Sequence, residues 1–121
     1  MKLVITSTEA GLDAPVDPRF GRCAYIIVYD TETLQWQAHA NPGANAMGGA
    51  GSQVAQFAAS QGADAVISGD FGPNAHDALA VAGIKMYLLG PSQTAWDAIA
   101  NLGSGKLQQV PTAAGSGRRG G

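Results

Sequence analysis

Residues 63–89, ADAVISGDFGPNAHDALAVAGIKMYLL, decide the fold. Short apolar runs at 63–68 and 84–89 predict two buried strands. Between them, Asn74 is a preferred N-cap residue and Gly83 a preferred terminator, which predicts a helix. The predicted inward face of this helix is small and apolar, with Ala75, Ala78, Leu79 and Ala82. A strand–helix–strand unit of this kind implies two parallel strands joined by a right-handed crossover.

The same patterns extend the fold in both directions. Three opening strands are predicted at residues 2–6, 24–30 and 34–40, the last two joined by a short polar hairpin turn. A helix is predicted behind the glycine-rich segment 48–52 and ends at Gly62. A third helix follows the last strand, capped by Ser92 or Thr94 and ended by Gly103. The predicted element order is therefore βββαβαβα.

This order predicts an α/β domain with a mixed five-stranded sheet and three helices. If strands one and three point the same way, the arrangement is ribonuclease H-like. The loop after the first strand and the N-termini of all three helices then lie at the carboxyl end of the sheet, where open α/β sheets bind ligands. We expect residues 1–111 to form a single domain. Residues 112–121, TAAGSGRRGG, carry no core-forming side chain and are predicted to be a disordered tail.

The composition excludes several classes of protein. Only 13% of the 121 residues are charged and the net charge is −2, which argues against a general nucleic-acid binder. No apolar run approaches the roughly 18 residues of a membrane span, and no signal peptide is evident, so we expect a cytoplasmic protein without membrane association. Cys23 is the single cysteine, which excludes a disulfide within the chain. The first strand has no carboxylate for a two-metal nuclease and no Ser/His/Asp arrangement appears, so we expect no enzyme.

The glycine-rich segment before the first predicted helix is a candidate anion site. Glycines permit close approach of a ligand, and a helix start offers unpaired N–H groups with a partial positive charge. Such a segment can hold an anion without a charged side chain. A flexible surface connection explains the same composition. The candidate residues here are Asn45, Met47, Gly48, Gly49, Gly51 and Ser52.

A second turn into a helix, residues 69–74 (GDFGPN), adds Gly72 and Asn74 as candidates. Phe71 in this turn is either the floor of a pocket or part of the core. His76 lies in the first turn of the following helix and so comes close to the predicted site. His39 alternates away from the apolar face of its strand, so we expect it to be exposed.

The loop 17–23, DPRFGRC, places Arg19 and Arg22 three residues apart, which is two of only seven basic residues. Asp17 pairs with one of them if the cluster is an ordinary surface salt bridge of little consequence; otherwise both arginines can serve an anion. Cys23 beside Arg22 is either a soft ligand with a lowered pKa or a small buried hydrophobe. Both pairs of alternatives remain open on the sequence alone.

Four ordered blocks resemble those of the dinitrogenase iron–molybdenum cofactor biosynthesis family. They are residues 13–23 (DAPVDPRFGRC), 48–52 (GGAGS), 69–74 (GDFGPN) and 82–87 (AGIKMY), and the resemblance covers roughly residues 1–111. It implies a ribonuclease H-like fold without nuclease activity that binds or carries metal–sulfur clusters. Arg19 stands where members that act in nitrogenase assembly often have a histidine.

The resemblance to single-domain members of this family implies that the chain binds an anionic molybdenum–copper sulfide cluster, held without ordinary covalent ligation. Helix-end N–H groups would hold it here, together with side chains of Arg19, Arg22, Phe20, Met47 and Phe71. Only Cys23, Met47 and His76 are candidates for direct metal contact. The resemblance also implies P-loop ATPase partners linked to cell division. The alternative function is a scaffold or regulatory module that docks such ATPases or a phosphorylated small molecule.

Overall fold

The computed structural model describes residues 1–44 and 48–112. It confirms the predicted element order. The elements are β1 (Lys2–Ser7), β2 (Tyr25–Asp30), β3 (Trp36–Ala40), α1 (Ala50–Ser60), β4 (Ala65–Ser68), α2 (Pro73–Val81), β5 (Lys85–Leu88) and α3 (Ala95–Gly103). Within these ranges, every helix is too short or too polar to cross a membrane.

The five strands form one mixed sheet in the order β3-β2-β1-β4-β5. β2 is antiparallel to both β1 and β3, whereas β1, β4 and β5 are parallel. Strands β1 and β3 therefore point the same way, and the ribonuclease H-like prediction is confirmed. The loop after β1 and the N-termini of α1 and α2 consequently share the carboxyl end of the sheet.

The sheet separates two apolar clusters because side chains alternate across it. On one face Val4, Val66 and Met86 pack against α1 and α2. On the other face Leu3, Ile5 and their neighbours pack against α3. The helices contribute mainly alanine, including the buried Ala55, Ala58, Ala75, Ala95 and Ala98. Small side chains let each helix lie close to the sheet, which brings the helix ends close to the strand ends.

Helix starts differ from the prediction in two cases and select between alternatives in a third. α1 begins at Ala50, inside the glycine-rich segment 48–52 and not behind it, with Gly49 as its N-cap. Gly72, not Asn74, is the N-cap of α2, because Pro73 occupies the first helical position, where its fixed φ and missing N–H are tolerated. Thr94, not Ser92, caps α3 in a complete capping box with Asp97. Ala82 is exposed just beyond α2, since the helix ends at Val81.

The edge strand β3 is shorter than predicted. It begins at Trp36, because Leu34 adopts a left-handed backbone (φ 64°) in the turn that precedes it. The prediction that His39 is exposed is wrong. Its ring packs edge-on against Phe57 of α1, with ring centroids 5.0 Å apart, so the helix covers this side of the strand.

A short pairing at the opposite edge was not predicted. The backbone N–H of Leu88 donates to Gln108 at 2.9 Å, and that of Val110 donates to Met86 at 2.8 Å. Residues 107–110 therefore run antiparallel along β5 and cover its open edge. The chain beyond residue 112, predicted to be a tail, lies outside the described residues.

Candidate functional site

A cavity of about 290 Å³ lies at the carboxyl end of the sheet, where α1 and α2 begin. Three chain segments line it: residues 20–22 of the loop after β1, residues 49–52 and residues 72–75. All three segments contain residues that the sequence predicted as candidate site residues. The cavity is at the small end of the range for ligand pockets, which suits a compact ligand.

Backbone N–H groups are concentrated around this cavity. The first helical hydrogen bond of α1 runs from Gln53 to Gly49 and that of α2 from His76 to Gly72, each 2.9 Å. The N–H groups of residues 50–52, 74 and 75 therefore precede the helical ladders. Neither N-cap makes a side-chain hydrogen bond, and neither first turn carries an acidic residue. Two positive helix ends thus converge without their usual compensation.

The third helix differs in this respect. Thr94 Oγ1 accepts from the backbone N–H of Asp97 at 3.1 Å, and the Asp97 carboxylate accepts from the N–H of Thr94 at 3.1 Å. These two bonds satisfy backbone N–H groups at the start of α3. The N-caps of α1 and α2 supply no such side-chain bond. Because α3 lies on the other face of the sheet, its N-terminus does not line the cavity.

Two glycines allow the three lining segments to lie very close together. A Cβ at Gly21 would stand 2.8 Å from the backbone N of Gly51, so only glycine lets the loop cross the start of α1 at this distance. A Cβ at Gly51 would stand 3.1 Å from the Cβ of Ala75 on α2. The loop therefore packs against α1, and α1 against α2, through glycine and alanine residues.

The loop after β1 is anchored by a buried carboxylate. Asp17 is 2% exposed and accepts hydrogen bonds from the backbone N–H, Nε and Nη2 of Arg19, each at 3.0 Å. Thr6 Oγ1 donates to the backbone carbonyl of Asp17 at 2.6 Å and lies 2.8 Å from Ser68 Oγ. The ends of β1 and β4 thus fix where the loop begins.

The sequence left open whether Asp17 pairs with one of the two arginines, and the structure pairs it with Arg19. Burial opposes ionisation of Asp17, but the hydrogen bonds and charge of Arg19 outweigh it and hold the pKa of Asp17 below its usual 3.8. The carboxylate in turn raises the pKa of Arg19. Arg19 does not line the cavity, and its guanidinium forms an ion pair with Asp17 at 3.0 Å. In this structure Arg19 therefore holds the conformation of the loop after β1.

Arg22 lines the cavity and is exposed. Its Nη1 donates to the backbone carbonyl of Ala44 at 3.3 Å, which joins the loop to the segment after β3. A guanidinium carries its N–H donors in a planar array, a geometry that suits an anion. Arg22 is the basic side chain that the structure brings to the two helix ends.

Cys23 does not reach the cavity. It is completely buried, its Sγ donates to the carbonyl of Phe20 at 3.4 Å, and burial raises its pKa to about 12. The interpretation with a lowered pKa is wrong, because the low-polarity surroundings and the nearby Asp17 charge outweigh any stabilisation of the thiolate by arginine. Cys23 is a small buried hydrophobe.

Asn41 is a positioning residue that the sequence did not indicate. Its Nδ2 donates to the carbonyls of Gly21 at 3.0 Å and Cys23 at 2.9 Å, and its Oδ1 accepts from the N–H of Gly43 at 2.7 Å. The side chain ties the loop to the segment that leads into the glycine-rich turn. A polar residue directly after a strand and before Pro-Gly is the only signal for it.

The aromatic candidates form the layer beneath the cavity. Phe20 is 1% exposed and its ring lies 5.2 Å from that of the half-buried Phe71. Of the two, Phe20 lines the cavity. Phe71 does not line the cavity, and it packs against the core, so the structure favours the core alternative for this residue.

His76 is turned away from the cavity. Its Nε2 donates to the carbonyl of Pro111 at 2.8 Å, and its Nδ1 lies 3.5 Å from the Asp77 carboxylate. Gly48 is described but does not line the cavity, and Asn45 and Met47 lie outside the described residues. Across residues 1–44 and 48–112, no three His, Cys, Asp or Glu side chains come together as a metal site.

Two larger cavities lie elsewhere. One of about 620 Å³ lies at the β2–β3 hairpin, beside Asp30 and Trp36. The other, of about 750 Å³, lies between Val16, Leu89 and Lys106. Neither of these two cavities is lined by the first turn of a helix. The smaller cavity is lined by two such turns, and their N–H groups are the donors that suit an anion.

The fold is a ribonuclease H-like α/β domain in which the N-termini of α1 and α2 meet at one cavity. The chain belongs to the family described as dinitrogenase iron-molybdenum cofactor, whose profile matches residues 1–105. Membership supports cluster or cofactor binding as the general role.

Two solved structures give the relationship in detail. The chain is similar to the apo form of the orange protein from Desulfovibrio gigas, with 34% identity, a TM-score of 0.85 and coverage of 90% of this chain and 92% of that one. It is also similar to an NMR structure described as a NifB protein of the DUF35 family from Thermotoga. That match has 33% identity, a TM-score of 0.80 and coverage of 93% and 94%. No curated protein matches the chain.

Proposed function

We propose that this protein binds or carries an anionic metal–sulfur cluster of the molybdenum–copper sulfide type. The cluster is cargo held non-covalently at the carboxyl end of the sheet, and the protein catalyses no reaction on it. The single observation that carries the proposal is the cavity between the uncapped N-termini of α1 and α2.

The donor set of this cavity suits an anion. Its polar groups include first-turn N–H groups and the Arg22 guanidinium, and no carboxylate is among the described residues that line it. N–H donors in a partly enclosed site form charge-assisted hydrogen bonds with an anion at little cost in reorganisation. A bare metal cation would find the wrong sign of charge there.

The side chains best suited to coordinate a metal are engaged elsewhere. The Cys23 thiol is buried with a pKa of about 12, and the His76 Nε2 is bonded to Pro111. Among the described residues, neither candidate is therefore available as a ligand, which favours a metal that brings its own ligands, as the metals of a sulfide cluster do. The volume of about 290 Å³ favours such a compact inorganic anion over a nucleotide-sized ligand.

The relatives support the same class of ligand. The family is described by a molybdenum-containing cofactor, and the orange protein structure is described as an apo form, which is the ligand-free state of a binding protein. The specific pairing of molybdenum with copper follows from the resemblance to single-domain members. On this proposal, residues 1–111 act as one cluster-binding domain.

Reconstitution tests the proposal. Tetrathiomolybdate with copper(I) should give the wild-type protein a coloured complex with one cluster per chain, measured by absorbance and by metal and sulfide analysis. Arg22→Ala should bind the cluster about tenfold more weakly, because a charge-assisted contact is lost. Lys85→Ala, an exposed charge at the amino end of β5, is the matched control and should bind normally.

Two results would contradict the proposal. One is the absence of any stoichiometric complex with the wild-type chain. The other is binding that Arg22→Ala and the double variant Arg19→Ala/Arg22→Ala leave unchanged, which would place the anion elsewhere.

A docking module is the second candidate function, and one observation favours it. Leu34 is 65% exposed, Trp36 41% and Trp96 46%, which is unusual for large apolar side chains on a domain with few of them. On this hypothesis the protein docks P-loop ATPases through these exposed side chains. Metal-free protein should then retain the ATPases in a pull-down, and Trp36→Ser/Trp96→Ser should abolish it. Retention that requires the loaded cluster would contradict a pure scaffold.

A further inference from the structure

The two edges of the sheet differ in how the chain covers them. β5 forms one edge, and residues 107–110 run along it and hydrogen-bond to it. β3 forms the other edge, and among residues 1–44 and 48–112 no segment pairs with its outer side. An unpaired strand edge is a template for a further strand, which is why proteins usually cover such edges or place charges on them. The sheet can therefore be extended at β3.

The outward backbone groups of β3 belong to alternate residues. The carbonyl of Gln35 accepts from the N–H of Asp30 at 2.9 Å, and the N–H of Asn41 donates to the carbonyl of Ala24 at 3.0 Å. Both bonds join the β3 segment to the β2 segment, so odd-numbered residues of β3 turn their backbone groups toward β2. The residues whose N–H and C=O groups point away from the sheet are consequently Trp36, Ala38 and Ala40.

This row of outward groups is bounded at both ends. At one end the N–H of Leu34 is already donated to Asp30 within the turn, at 2.9 Å. At the other end Pro42 has no N–H to donate. The row is therefore symmetric about Ala38, and a second β3 that runs antiparallel meets it with the same spacing of donors and acceptors. A two-fold dimer uses one self-complementary patch in this way.

The side chains of β3 suit the same pairing. Trp36, Ala38 and Ala40 share one face of the strand, and Ala38 packs there against the cluster on the α3 side. When Ala38 lies opposite Ala38 of a second copy, Trp36 of each copy lies across from Ala40 of the other. Trp36 is 41% exposed and Ala40 is exposed, so a large apolar side chain meets a small one and both lose contact with water.

The distribution of charge favours an antiparallel second copy. Residues 33–44, TLQWQAHANPGA, contain no Asp, Glu, Lys or Arg that would repel the same segment of another copy. The nearest acidic residues, Asp30 and Glu32, lie at the hairpin turn before β3. Antiparallel pairing sets the turns of the two copies at opposite ends of the interface, whereas parallel pairing would set these like charges side by side.

We propose that β3 pairs antiparallel with β3 of a second copy of this chain, centred on Ala38, and joins the two five-stranded sheets into one. Each outward residue exchanges two bonds with the residue opposite, which gives about six main-chain hydrogen bonds in all. The two cavities lie at opposite ends of the joined sheet, and no residue of β3 lines either one. The dimer is therefore independent of the proposed function.

Sedimentation equilibrium of the full chain tests the pairing. The dimer fraction of the wild type should rise between about 10 µM and 1 mM, as expected of a small interface. Ala38→Lys and Ala38→Glu each set like charges directly opposite one another and should self-associate at least about tenfold more weakly. An equimolar mixture of the two variants should associate at least as well as the wild type, because the centre then holds an opposite-charge pair.

Controls at Val81 separate this effect from added charge in general. Val81 is 90% exposed at the end of α2, and Val81→Lys and Val81→Glu should dimerise within about twofold of the wild type. Ala40→Pro is a second variant at the interface, since the N–H that it removes points away from β2. It should weaken dimerisation about tenfold and leave the midpoint of urea unfolding unchanged.

Three results would overturn the inference. The first is a wild-type chain that stays monomeric at about 1 mM, which would leave the edge to an extended segment of another protein. The second is a mixture of the folded Ala38 variants that associates no better than either variant alone. The third is a dimer that Ala40→Pro leaves intact. None of these results bears on the proposed function, because a monomeric chain should still take up one cluster.

Discussion

Replacing Gly21 with alanine tests whether the loop after β1 lies against the start of α1. The added Cβ would meet three backbone atoms: the N of Gly51 at 2.8 Å, its Cα at 3.1 Å and the carbonyl carbon of Ala50 at 3.3 Å. None of these atoms belongs to a side chain that can rotate away. The loop or the helix start must therefore move.

The magnitude follows from two opposing effects. Overpacking against fixed backbone costs about 1–3 kcal/mol. Alanine also restricts the unfolded chain, which returns about 0.4–1 kcal/mol. The free energy of unfolding of Gly21→Ala should therefore be lower than that of the wild type by about 1–2 kcal/mol. The methyl group also lies over the N–H of Gly51, so affinity for the anionic cluster should fall about tenfold.

Gly11→Ala is the matched control. No heavy atom lies within 4 Å of its added Cβ, and neither Gly11 nor Gly21 has a positive φ. It should be as stable as the wild type or up to about 1 kcal/mol more stable. Urea unfolding gives the stabilities and absorbance titration gives the affinities. Equal unfolding midpoints for the two variants, with unchanged cluster affinity, would refute the close contact of loop and helix.

Three other predictions concern the supporting residues. Asp17→Asn should lower the free energy of unfolding by about 1–2 kcal/mol at pH 7. Because the folded pKa of Asp17 is depressed, that difference should persist above about pH 5 and shrink as the pH falls below 3.8, as measured by urea unfolding. Cys23 should resist thiol reagents at pH 8 until the protein unfolds, and Cys23→Ala should bind the cluster within about twofold of the wild type; rapid labelling of the folded chain would contradict its burial. Thr94→Ala should lower stability by about 1 kcal/mol without changing cluster affinity, and a loss of affinity would show that α3 contributes to the site.

The sequence was sufficient for the fold because its signals are local. Alternation in 24–30, helical spacing in 73–81 and glycines at helix ends each act within a few residues. The parallel unit at 63–89 then leaves few topologies for the remaining strands. Two helix starts were wrong: α1 begins at Ala50, inside the glycine-rich segment, and α2 has Gly72 as its N-cap in place of Asn74, because Pro73 occupies the first helical position.

The site was only partly predictable because its supports join residues far apart in the chain. Glycines at helix starts indicated two of the lining segments, but the contact of Gly21 with Gly51 depends on tertiary packing. The same holds for the link of Asn41 to Cys23 and for the burial that gives the thiol a pKa of about 12. Residues 107–110 contain two apolar positions in a polar context, too weak a pattern to predict a strand.

Amide chemical shifts during cluster addition test the central claim most directly. In a ¹⁵N-labelled protein titrated with tetrathiomolybdate and copper(I), the largest shifts should belong to the N–H groups of Gly51, Ser52, Asn74 and Ala75, with saturation at one cluster per chain. These are the first-turn donors that line the cavity. Shifts centred instead on the cavity beside Trp36 or the one beside Lys106, or no saturable shifts at all, would contradict an anion site built from the two helix ends.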